Sequence, residues 1–107
     1  MKAFVISLER ERARRLESIR LIKLSGIPFE LVDAVDGRST PGLARSPSAR
    51  QGLRNTEVAC YLSHLRALQR IVDYDLACGI VLEDDFEYLA GSHRRLAGIQ
   101  RNLPADF

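Results

Sequence analysis

Gly79-Ile80-Val81-Leu82-Glu83-Asp84-Asp85-Phe86 passes from a glycine through three contiguous apolar residues into three consecutive carboxylates. The apolar residues do not alternate with polar ones, which predicts a strand buried on both faces, as in the middle of a parallel sheet. Three adjacent acids cannot all be buried unpaired, so the strand must end there, with its carboxylates facing a cleft at the C-terminal edge of the sheet. Open α/β sheets bind ligands at that edge. Repulsion among the three raises the pKa of at least one of them unless a cation lies between them. Read functionally, the stretch is a divalent-cation site serving a phosphorylated ligand. Read structurally, it is a polar strand terminus at the surface.

The flanking segments complete an α/β pattern. Upstream, Asn55 to Tyr74 carries Val58, Leu62, Leu65, Leu68 and Val72 at helical spacing, widened by Cys60, Ala67 and Ile71. Asn55 or Thr56 can cap this helix, and Glu57 suits its first turn. The stripe predicts Leu62 and Leu65 as core residues beneath the sheet, while His64 reads either as a hydrogen-bonded structural histidine or as a catalytic one. At the start of the chain, Ala3 to Leu8 predicts a strand and Glu9 to Ser25 a helix with Leu16, Ile19, Ile22 and Leu24 facing inward. Gly26 and Pro28 stop that helix. Phe29 to Val35 predicts a second strand, and strand–helix–strand implies a parallel pair. It runs into Asp33-Ala34-Val35-Asp36-Gly37, which is turn chemistry by itself but also sets two more carboxylates at the edge that carries Glu83 to Asp85. Arg10, Arg12, Arg14 and Arg15 crowd the first helix, either as a solvated face or with one of them reaching a phosphate. Arg38 to Arg54 shows no hydrophobic period and reads as a functional or mobile loop. Beyond Phe86, Ser92 can cap a third helix running to about Asn102, and Leu103 to Phe107 reads as the approach to another strand.

Length and charge narrow the class. The 107 residues make one domain, 1–107, with a hydrophobic fraction of 46%. A net charge of +2 does not point to nucleic acid as a partner. Residues 1–54 hold eleven Lys and Arg against six Asp and Glu, whereas residues 55–107 hold five against eight. Cys60 and Cys78 show no metal-ligand spacing and read as small buried apolar residues. The apolar run at the N-terminus is too short for a signal peptide or a membrane span. The expected setting is therefore cytoplasmic and reduced, with at most peripheral membrane contact at the inner membrane. No Gly-rich phosphate loop, H-E-x-x-H or G-x-S-x-G is present, so the acidic strand end is the one candidate for chemistry.

Four segments in order resemble glycosyltransferase family 25, the lipopolysaccharide-type galactosyltransferases with collagen galactosyltransferases among their relatives. They are Val5-Ile6-Ser7-Leu8 with Arg14-Arg15, Phe29 through Gly37, Glu57-Val58-Ala59-Cys60-Tyr61-Leu62-Ser63-His64-Leu65, and Ile80 through Asp85. The third and fourth are the specific ones. The resemblance covers essentially the whole chain, which corresponds to the first half of a usual member. It departs at Ser7, where the family commonly has Asn, and at Thr56 and Ala59, where it has Gly. The resemblance implies a GT-A-like, Rossmann-like nucleotide-sugar-binding fold, here truncated, in which an acidic motif closes a strand and holds manganese or magnesium against the donor diphosphate. It implies Asp85 as the direct metal ligand with Glu83 beside it. The implied donor-binding set is Ser7, Leu8, Arg14, Asp33, Asp36, Glu83 and Asp84. Ser63 and His64 would fix the second helix against the acidic loop, while the catalytic base would lie in the second half.

The resemblance thus implies transfer of a hexose, galactose by family expectation, from a UDP-sugar donor to a saccharide or lipid-linked saccharide acceptor in lipopolysaccharide or lipooligosaccharide biosynthesis. The alternative is a truncated, non-catalytic member that at most binds nucleotide-sugar, with a homo-oligomer covering an unpaired sheet edge. A phosphoacceptor receiver domain fails on spacing, because no lysine follows Lys23.

Overall fold

A computed structural model describes residues 1–45 and 52–107. Three parallel strands, β1 (Lys2–Ser7), β2 (Phe29–Asp33) and β3 (Gly79–Glu83), form one sheet in the order β2-β1-β3. Helix α1 (Arg12–Ser25) connects β1 to β2, and α2 (Asn55–Asp73) connects β2 to β3. Helix α3 (Ser92–Arg101) follows β3. A single 3-10 turn, Leu43–Arg45, lies in the β2–α2 connection.

The period-2 geometry of β1 sorts its side chains into two cores. Phe4 and Ile6 pack with Val32, Val81, Ala67 and Ile71 beneath α2. Ala3 and Val5 pack with Ile22 of α1 and with Phe29, Leu31, Ile80 and Leu82. The molecule is therefore three layers, helix–sheet–helix, with β1 at the centre. Ala3 through Ser7 are all buried, whereas Gly79 to Leu82 are only half-buried. Among the described residues the acidic strand thus lies at one edge of the sheet, with the unpaired side that three strands leave it, although its apolar run has the pattern of a middle strand. It pairs with β1 alone among the described residues.

On both long helices only part of the face that the large apolar residues mark is turned to the sheet. On α1 the buried residues are Ser18, Ile22 and Ser25, while Leu16 and Leu24 are exposed. On α2 they are Val58, Ala59, Ser63 and Ala67. Leu62 is half-buried, Leu65 is 42% exposed and Val72 70% exposed. Ala59, Ser63 and Ala67 recur every fourth residue, and their small side chains let the helix backbone approach the sheet. Arg66 and Arg70 flank that face and donate to the carbonyls of Asp33 and Leu31 at 2.9 and 3.0 Å, anchoring α2 over β2.

Element ends also differ in detail. Helix α1 begins at Arg12 rather than Glu9, since Leu8 to Glu11 form a turn closed by the Glu11 N–H on the Leu8 carbonyl at 3.1 Å. Arg54 occupies the α2 cap position without a side-chain cap. Asn55 instead accepts from the Ala44 N–H at 2.8 Å and donates to the Thr40 carbonyl at 3.2 Å, pinning the preceding loop. The central part of the irregular stretch read over Arg38 to Arg54, residues 46–51, lies outside the described residues. Gly91 in the left-handed region (φ 84°) caps α3, and Ser92 is the first helical residue. Leu103 to Phe107 is not extended: the Phe107 N–H closes on the Pro104 carbonyl at 3.1 Å. No helix among the described residues is long and apolar enough to cross a membrane.

This packing ranks two substitutions. Phe4→Ala should destabilise the fold by about 3–5 kcal/mol, the usual cost of emptying a fully buried aromatic site. Leu65→Ala should cost under about 1 kcal/mol because the side chain is substantially solvated already. Chemical-denaturation midpoints would check the order; a Leu65→Ala loss as large as that of Phe4→Ala would place the leucine face of α2 in the core.

Candidate functional site

Parallel pairing in this register brings the ends of all three strands to one edge, with Ser7 opposite Asp33 and Ile6 opposite Glu83. The connection after β1 leads to one neighbour, and the connection after β2 crosses to the other. The boundary between β1 and β3 is thus a topological switch point, where a crevice opens beyond the strand ends. A cleft of about 340 Å³ occupies that place. Ser7 and Leu8 from β1, Asp36 and Gly37 from the β2 loop, Cys60 and His64 from α2, and Glu83 and Asp84 from β3 line it, with Arg10, Arg14 and Arg38 at its rim.

Each wall is fixed by a polar contact. Arg15, inward-facing at the same helical spacing as Ser18 and Ile22, donates to the Ser7 hydroxyl at 2.7 Å, the Ser7 carbonyl at 3.0 Å and the Asp33 carboxylate at 2.7 Å. It ties the ends of β1 and β2 together. The Ser18 hydroxyl lies 3.0 Å from the Asp84 carbonyl and 2.9 Å from that of Arg14, so its one proton holds the acidic turn to α1 or closes on its own helix. Ser63 accepts from the Val35 N–H at 2.9 Å, so it fixes α2 to the β2 loop rather than to the acidic one. His64 does reach the acidic strand, with Nε2 2.9 Å from Glu83 Oε1. At Gly37 a Cβ would lie 2.8 Å from the Asn55 carbonyl oxygen and the Thr56 Cα, so only glycine lets this loop meet the α2 N-terminus.

The three acids have separate surroundings. Glu83 ends β3 in the cleft. The side chain of Asp84 is 11% exposed and lies 3.7 Å from Arg14. Burial pushes its carboxyl pKa up; Arg14 opposes that shift and Asp85 adds to it. Asp85 is exposed, lies one residue beyond those lining the cleft, and makes no ion pair among the described residues. Asp36, hydrogen-bonded to Arg10 and to the Arg38 N–H, has its pKa held below the usual carboxylate value, chiefly by Arg10. Asp33 lies outside the main cleft, in an adjoining depression with Leu8, Arg12, Asp36 and Ser39.

Of the residues singled out from the sequence, Ser7, Leu8, Arg14, Asp36, Glu83 and Asp84 therefore share one cleft, while Asp33 and Asp85 border it. Cys60 is exposed and Cys78 half-buried, so neither is the buried apolar residue expected. Cys60 lies on the cleft wall with its sulfur 3.8 Å from Glu83 Oε1, and burial, reinforced by Glu83, pushes its thiol pKa up. The separation of Cys60 and His64 by four residues on one helix is the signal for this placement. The roles of Arg15 and Ser18 follow from the steps of three residues from Arg15 to Ser18 and four from Ser18 to Ile22, which put all three on one helix face.

A three-stranded parallel α/β sheet with a charged cleft at its switch point is compatible with a Rossmann-like α/β fold. The family model described as glycosyltransferase family 25 (LPS biosynthesis protein) matches residues 1–93, and the chain belongs to this family. Procollagen galactosyltransferase 2 of Mus musculus is 27% identical over 113 residues, covering 94% of this chain and 18% of that protein. The inactive glycosyltransferase 25 family member 3 of Mus musculus is 31% identical, covering 95% of this chain and 19% of that protein. The probable inactive member 3 of Bos taurus is 32% identical, covering 98% and 20%. The chain thus spans about a fifth of the length of these curated relatives.

Arg15→Ala should destabilise the chain by about 1–3 kcal/mol, because it strips a buried serine and a strand end of a charged donor. Arg15→Lys should recover only part of this, since an ammonium cannot span the fork-shaped set of acceptors. Urea denaturation of both variants checks the ranking; wild-type stability in Arg15→Ala would show that the strand ends hold without it.

Proposed function

We propose that the chain is the donor-binding part of a glycosyltransferase with a GT-A-like fold that uses a UDP-sugar, galactose being the sugar expected from its galactosyltransferase relatives. The acceptor is then a saccharide or lipid-linked saccharide of the lipopolysaccharide type named in the family description. The observation that carries this reading is the switch-point cleft, where Glu83 and Asp84 face Arg10, Arg14 and Arg38 across the end of β1. Its volume of about 340 Å³ suits part of a nucleotide-sugar, being at the small end of the roughly 300–1,000 Å³ usual for ligand clefts.

The donor set suits a hard divalent cation. Manganese or magnesium binds through one or two carboxylates, with phosphate oxygens and water completing the shell. Glu83 at the cleft and Asp85, exposed and without an ion pair among the described residues, are the oxygens available; Asp84, largely buried beside Arg14, is better placed to brace the turn. When bound, the metal would supply charge stabilisation for a diphosphate leaving group. The protein's own contributions are separate. Arg14 and Arg10 at the rim offer guanidinium donors to phosphate, Ser7 is held by Arg15 at the end of β1, and His64 orients Glu83.

A second reading, a member that binds donor without transferring it, is favoured by the 31–32% identity to proteins described as inactive. Transfer of labelled galactose into an acceptor saccharide separates the two.

Calorimetric titration with UDP-galactose tests the shared part of both readings. Binding should require manganese in the wild type and be lost in Asp85→Asn, which removes a ligand charge at almost constant volume. Equal affinity in the two proteins with manganese present would remove Asp85 from the metal site, and no binding by the wild type would overturn the function.

A further inference from the structure

We propose that Cys60, His64 and Glu83 form a second kind of cation site in this cleft, one for a borderline, thiophilic divalent ion of the zinc class, with a fourth position open to the cleft. Cys60 and His64 are one helical turn apart on α2 and so present their side chains on one face. Glu83 comes from the end of β3. One ligand atom from each lies within 4.8 Å of the others. His64 Nε2 is 2.9 Å and Cys60 Sγ 3.8 Å from the same carboxylate oxygen.

Those separations are close to what zinc needs. Bond lengths of about 2.0–2.3 Å at a tetrahedral ion put neighbouring ligand atoms about 3.4–3.6 Å apart. The nitrogen–oxygen edge must open and the sulfur–oxygen edge close, each by less than about 1 Å, and the sulfur–nitrogen edge, no longer than 4.8 Å, must close by at most about 1.3 Å, within the reach of side-chain rotation on two fixed backbones. The donor set decides which ion. A sulfur, an imidazole nitrogen and one carboxylate oxygen select zinc and its neighbours over magnesium or calcium, which take oxygen. Binding releases the thiol proton of Cys60 to solvent and leaves thiolate, neutral imidazole and carboxylate on the metal. Three protein ligands with one position open is the pattern of sites that exchange water or a small ligand, not of closed structural sites. Cys60 is exposed and the side chains of His64 and Glu83 are 40% and 51% exposed, so an ion can enter from the cleft without unfolding.

Glu83 is also one of the carboxylates assigned above to a hard cation, but this proposal stands without that assignment, because it is read by metal spectroscopy and not by nucleotide binding. The reduced 107-residue chain is titrated with cobalt(II), an optical stand-in for zinc. The expected result is a near-ultraviolet thiolate-to-cobalt charge-transfer band with the intense visible bands of four-coordinate cobalt, saturating at one ion per chain and bleached by zinc. Cys60→Ser should lose the near-ultraviolet band and Cys78→Ser keep it. His64→Ala should weaken zinc binding by at least the roughly 10–100-fold that is lost when only a ligand's supporting contact is removed. A measurement on the wild type alone runs in parallel: zinc, but not magnesium, should slow alkylation of Cys60 at least about tenfold while leaving Cys78 unchanged, as read by mass spectrometry. Absence of the band in wild type, its persistence in Cys60→Ser, its loss in Cys78→Ser, or unprotected Cys60 would each overturn the site.

Discussion

The structure depends on β1 being paired along both edges. Ala3 to Ser7 are withdrawn from water on both faces and their backbone groups are used by β2 and β3. No other described strand has two partners. Because a parallel ladder fixes register, the burial of five consecutive residues also fixes where the three strands stop. The position of the cleft follows from that: Ser7, Asp33 and Glu83 are set within one residue of a common level by the same strand pairing that holds the core.

The layers are keyed to one another by polar side chains as much as by apolar ones. Arg15 and Ser18 reach from α1 to the strand ends, and Ser63, Arg66, Arg70 and His64 reach from α2. Among the described residues no buried side-chain polar atom lacks a partner. Such contacts have a directional requirement that hydrophobic packing lacks, and breaking one leaves a desolvated group unpaired. They define the shape of the cleft more sharply than the small cores could.

The charge asymmetry along the chain becomes complementarity across the cleft. The basic first half contributes Arg10, Arg14 and Arg38, and the acidic second half contributes Glu83 and Asp84. Asp36 and Asp84 show two outcomes of the same pairing. Asp36, with two donors, is stabilised as the anion; Asp84, more deeply desolvated, is shifted the other way despite Arg14. Arg14, 3.7 Å from Asp84 and so beyond hydrogen-bond distance, keeps guanidinium donors for an anionic ligand.

Contiguous apolar runs, Gly and Pro stops and strand–helix alternation were enough to predict from the sequence all three strands, all three helices and the edge at which the carboxylates gather, because these features depend on neighbours a few residues away. The specific segments Glu57 to Leu65 and Ile80 to Asp85 were likewise enough to identify the family. The sequence could not show which strand is central, since Phe4-Val5-Ile6 and Ile80-Val81-Leu82 carry the same pattern and only pairing distinguishes them. It located the buried faces of both helices only in part: Ile22, Val58 and Ala67 are buried as the pattern suggests, but Leu16, Leu24, Leu65 and Val72 are not, because the sheet took faces whose small residues and hydrogen-bonding serines and arginines allow close approach. The meeting of Cys60, His64 and Glu83 belongs wholly to the tertiary structure, because it needs one turn of α2 to lie beside the end of a strand nineteen residues beyond His64, and no local rule sets that distance.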